Sequence, residues 1–116
     1  MEEKRSVEPK ERLIEMMSLL DIKQSDISEK TGIPKSAISQ YVSGKRLPRI
    51  DKIALIANAY NLNPTWLLGY NGVPMYKAEV ERRAEREYTL TRKYRKLTER
   101  DQQVIDKMID SMLESY

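Results

Sequence analysis

The side chains best placed for chemistry lie in one short stretch, GIPKSAISQYVSGKRLP, residues 32–48. Lys35, Ser36, Ser39 and Gln40 recur there at spacings that put them on one side of a helix. Their ammonium, hydroxyl and amide groups are hydrogen-bond donors and acceptors, suited to recognition. Bond-making chemistry lacks its usual agents, because the chain has no histidine and no cysteine. Ser–His and Cys–His catalysis, zinc sites with Cys/His ligands and disulfides are therefore excluded. The carboxylates are scattered among Lys and Arg along helical faces, the pattern of solvated surface. No metal and no cofactor is implied.

The recognition groups sit on a helix cut to about two turns, bracketed by Gly32 and Gly44. A core helix that short buries little. One that is inserted into a partner must be short, small on its exposed side and anchored at both ends. The anchors are legible on either side. Pro9 opens a helix on which Leu13, Ile14, Met17 and Leu20 form an apolar stripe. QSDISEKT is a second short helix, held by Ile27 and ended by Gly32. The third begins near Pro34 and carries Ala37, Ile38 and Tyr41. After Pro48, the residues Ile50, Ile53, Ala54, Ile56, Ala57 and Tyr60 predict a fourth helix with a broad buried face. NPTWLLG reads as a fifth: Asn63 caps, Pro64 opens, Trp66, Leu67 and Leu68 pack, and Gly69 stops it. Strand signals are nearly absent, with only EYTLTRKY showing weak alternation.

Length and composition suit one small globular domain with an appendage: 116 residues, 40% hydrophobic and 34% charged. Phenylalanine is absent, and six Met and seven Tyr take over part of its bulk. No apolar run approaches the length of a membrane span. The opening MEEKRSVEPKER is too charged for a secretion signal, so a cytoplasmic location is expected. The net charge of +3 is unevenly spread. Lys35, Lys45, Arg46, Arg49 and Lys52 face only Asp51, and a second basic zone runs from Arg82 to Lys96. An acidic segment follows from Glu99. Two basic zones and an acidic tail suit a protein that meets a polyanion.

These signals divide the chain into a domain at 9–72, a charged segment at 73–97 and a C-terminal helix at 98–116. The charged segment has Tyr76, Val80, Ala84 and Tyr88 four apart, which permits either a helix with a thin apolar stripe or a solvated linker. In the C-terminal segment Thr98 can cap, with Glu99 and Asp101 at the positive first turn. Val104, Ile105, Met108, Ile109, Met112 and Leu113 then fill one continuous half of the helix. That face is wider than a lone helix leaves in water. Dimerisation through it is expected, with folding back onto the domain as the alternative.

QSDISEKTGIPKSAISQYVSGKRLP followed by IDKIALIANAYNLNPTWLL resembles the Cro-type, lambda-repressor-like DNA-binding domains, also called the xenobiotic-response-element family. The likeness runs from about Leu13 to Leu68, with Gln24, Gly32, Ile38, Gly44 and Pro48 in the family's spacing. The fold class it implies is all-α, a five-helix lambda-repressor-like helix-turn-helix domain plus the C-terminal amphipathic helix. By that resemblance Lys35, Ser36 and Gln40 meet bases, Ser39 shares their face, and Gln24 meets a phosphate. Ser43, Lys45 and Arg46 match a further backbone-contacting segment. The partner implied is double-stranded DNA, bound by a homodimer with no membrane involved, as by a bacterial or phage repressor. An antitoxin whose helix-turn-helix only autoregulates is the alternative. The chain after Gly72 is too short and too charged to form the self-cleaving peptidase that some phage repressors carry. Lys23, Ser28, Pro34 and Val42 depart from common family residues: Lys23 leaves one helix start without its usual cap, and the Ser28 hydroxyl needs a partner.

Overall fold

The computed structural model describes residues 7–115. Residues 1–6 and Tyr116, hence the start of the charged N-terminal segment and the last residue of the expected C-terminal helix, lie outside the described residues. The described chain is all-helical: α1 (Pro9–Leu20), α2 (Gln24–Thr31), α3 (Lys35–Ser43), α4 (Ile50–Ala59), α5 (Pro64–Leu67), α6 (Lys77–Arg95) and α7 (Glu99–Glu114). EYTLTRKY, the one alternating stretch, lies inside α6. No described helix is long and apolar enough to cross a membrane.

The chain divides into two compact units, one ending at Val80 and one beginning at Glu81. In the first, α1 to α5 enclose a core in which Leu13, Met16, Ile27, Ile38, Ile53 and Leu67 are all fully buried. Each such burial contributes about 1.5–3 kcal/mol, so the core is the main source of this unit's stability. Local chemistry sets the helix ends. The Glu8 N–H donates to the Glu11 carboxylate (2.9 Å) at the start of α1. Asn63 accepts from the Thr65 N–H (3.1 Å) at the start of α5. Beyond α5 the chain returns to the core through one antiparallel bridge between Leu62 and Tyr76. The Asn63 N–H donates to the Met75 carbonyl there (2.7 Å).

Two expected core positions differ. Ile50 is 74% exposed, because it is the first residue of α4 and overhangs the elements the helix packs on. Ile14 is exposed and Met16 buried instead. At 100° per residue Ile14 lies a full step from Leu13, whereas Met16, Met17 and Leu20 cluster around it.

The second unit is a hairpin made from the rest of α6 and α7. The Thr98 hydroxyl accepts from the Asp101 N–H (3.2 Å), capping α7 as its sequence indicates. Gln102 donates from its amide to the Tyr94 carbonyl (3.0 Å), and the Tyr94 hydroxyl donates to the Asp106 carboxylate (3.0 Å). That hydrogen bond raises the Tyr94 pKa, with loss of hydration and the Asp106 charge adding to it. The folded hairpin thus holds the phenol proton more tightly than the unfolded chain does. The contribution is present below the ordinary tyrosine range near pH 10 and is lost as pH rises through the folded pKa. Asp106→Asn should bring the Tyr94 titration back towards that ordinary value, read by tyrosinate absorbance against a Tyr94→Phe control.

Candidate nucleic-acid interface

Helices α2 and α3 meet at Gly32, whose φ of +78° lies in the left-handed region. A residue with a Cβ is strained there by roughly 1–2 kcal/mol, and glycine is not. Side chains stitch the turn across this reversal. The Ser28 hydroxyl donates to the Ile33 carbonyl (2.6 Å), which supplies the partner its sequence position demands. The Thr31 hydroxyl donates to the Ile27 carbonyl (2.6 Å) and accepts from the Ile33 N–H (3.2 Å). Ile27 and Ile38 are fully buried in the core common to the two helices. At the start of α2 the Lys23 N–H donates to the Asp26 carboxylate (2.7 Å), the reciprocal half of a capping box. The Asp26 N–H, from which a capping hydroxyl would accept, donates to the Lys23 carbonyl (3.0 Å).

The buried side of α3 consists of Ile38 and Tyr41, with Ala37 half-buried. Its other side leaves Lys35, Ser36, Ser39 and Gln40 exposed. Gln24 is half-buried as the first residue of α2. After α3, Ser43, Lys45 and Arg46 are exposed on a loop fixed by its own hydrogen bonds. The Arg46 N–H and the Ser43 hydroxyl both donate to the Gln40 carbonyl (3.2 Å each). The Lys45 N–H donates to the Ser43 hydroxyl (3.4 Å). The Arg46 guanidinium lies 5.9 Å from the centre of the Tyr41 ring, so Tyr41 packs beneath a cation and offers no stacking face of its own. A polar helix face with a cationic loop at one end has the dimensions and the sign to enter a major groove about 12 Å wide.

One residue near this loop has no local sequence signal. Lys10, on the first turn of α1, lies against Gly44 because α1 packs on α3.

Residues 13–67 match the family model described as Helix-turn-helix. This part of the chain is a helix-turn-helix domain of the Cro/C1 type, a class of DNA-binding domain. A crystal structure of a transcriptional regulator from Listeria innocua is similar over 100% of this chain and 98% of that chain, with a TM-score of 0.50. At 18% sequence identity that likeness is one of fold. No curated protein matches the sequence.

Proposed function

We propose that this protein is a sequence-specific transcription regulator, a repressor that binds a two-fold symmetric operator as a homodimer. The observation that carries the reading is α3, held from beneath by Ile38 and Tyr41 with Lys35, Ser36, Ser39 and Gln40 all exposed above. In this reading Lys35, Ser36 and Gln40 reach base edges, with Ser39 on the same face. Gln24, Ser43, Lys45 and Arg46 meet phosphates, which position the protein and carry no sequence information.

One two-turn helix reads too few base pairs to select a site against a genome of competitors. Two copies on one side of the duplex require half-site centres about 34 Å apart, or a multiple of that. The α7 face of Val104, Ile105, Met108, Ile109, Met112 and Leu113 is the proposed dimer contact. Five of these six are exposed, and no residue of α7 is buried. A two-helix unit with no buried side chain among its described residues has little to offset its ordering entropy, which favours a partner for it.

Selection of bound duplexes from a random pool should yield a palindrome, and the same duplexes then test the residues. Gln40→Ala and Lys35→Ala should each cost about 1–3 kcal/mol on the selected site and little on random DNA. Lys45→Ala should weaken both alike and reduce the salt slope by about one. Equal losses on both kinds of duplex for Gln40→Ala and Lys35→Ala would mean that this face does not read bases.

A further inference from the structure

We infer that Lys10 of α1 is a further DNA-backbone contact, binding a phosphate together with the loop after α3; this rests on the DNA-binding reading above. Lys10 is distant in sequence from that loop, and only packing brings them together. Pro9, buried at the start of α1, and the Glu8–Glu11 cap hold the first turn of the helix in place. The Lys10 side chain then crosses the loop at Gly44. A Cβ built on Gly44 would stand 2.9 Å from Lys10 Cδ and 3.3 Å from Nζ. The missing side chain at Gly44 is thus what lets the lysine stem lie on the loop.

The result is a cationic corner. Lys10 and Arg46 line one open cleft of about 210 Å³ with Glu8, Pro9, Tyr41 and Leu47. Lys45 and Arg46 are exposed beside it on a backbone tied to Gln40 and Ser43. Glu8 also lines the cleft, so its lining residues carry one formal negative charge against the two positive charges of Lys10 and Arg46. The ligand chemistry that fits is a single phosphate oxygen group approached by two cations. A lysine acts on such a group as a mobile point charge, and Arg46 supplies the directional donors. This corner belongs to the C-terminal end of α3, whereas Lys35 and Ser36 stand in its first turn. A contact made there grips the backbone flanking the bases that α3 reads. Its contribution to binding is therefore the same on every sequence.

Lys10→Gln removes the charge and keeps most of the stem, and Lys10→Arg keeps the charge. Binding of full-length protein to the selected duplex and to a random duplex is measured across a salt series, with circular dichroism confirming an unchanged fold. The expected result for Lys10→Gln is a salt slope lower by about one on both duplexes with their affinity ratio unchanged. Lys10→Arg should retain the wild-type slope. The inference is overturned if Lys10→Gln leaves slope and affinity unchanged while the wild type binds with a steep salt dependence. It is equally overturned if the loss is confined to the selected duplex, which would make Lys10 a base-reading residue. A wild-type protein that binds neither duplex removes the DNA-binding reading itself, a different failure visible before any variant is made.

Discussion

Truncation after Lys96 should leave a folded, cooperatively melting domain that is monomeric and binds the operator about 10²–10⁴-fold more weakly than the full chain. The first unit has its own core, whose buried hydrophobic residues run from Leu13 to Leu67. The lost affinity is that of a second α3 delivered to the adjacent half-site at high effective concentration. Met108→Glu should reproduce the loss without shortening the chain. It places a charge amid Val104, Met112 and the other apolar residues of α7, where dimerisation would bury it unpaired. Light scattering and thermal melting distinguish the outcomes. A truncated protein that remains dimeric refutes α7 as the interface, and one that unfolds outright supports folding back onto the domain. A full-length monomer that copurifies with a second protein from its native host favours the antitoxin reading.

Trp66→Ala should destabilise the helix-turn-helix unit by about 3–5 kcal/mol. Trp66 is only 4% exposed, and the Arg12 guanidinium lies 4.7 Å from the centre of its ring. Deleting the indole leaves a cavity and strips that cation of the surface it stacks on. Arg12 is held otherwise by a long hydrogen bond from Nη2 to the Tyr70 carbonyl (3.4 Å) and a 3.6 Å ion pair with Glu15. Its Nε is buried without a partner, so the arginine already carries a desolvation cost. Arg12→Met keeps the apolar stem and removes that cost, and should be milder than Trp66→Ala by at least 1 kcal/mol. Urea denaturation of the two variants checks the order. Equal losses would show that the cation–ring contact, rather than indole burial, holds α1 to α5.

Much of the helix frame was legible residue by residue because its determinants are neighbours in the chain. Asn63 and Thr98 cap the helices that follow them, and each hydrogen bond spans no more than three residues. Gly32 reverses the chain where its own φ requires it. The exposed face of α3 follows from which of its residues are polar and how many degrees separate them. Where two local preferences were nearly balanced, sequence left the choice open. The segment after Gly72 could be linker or helix, and tertiary contacts anchor its start: Met75 accepts from the Asn63 N–H, and the Lys77 side chain donates to Asn58. With its first turn pinned, the costly nucleation step of α6 is met and propagation through Ala, Glu and Arg proceeds at little cost. The contacts that only the tertiary structure decided share one property, a long chain separation with no local pattern to announce it. Lys10 reaches Gly44 and Arg12 stacks on Trp66 because burial of Leu13, Met16 and Ile38 brings α1 against α3 and α5. Ile50 is exposed for the converse reason. Its residue type and spacing suit a core, but burial depends on whether another element extends far enough to cover it.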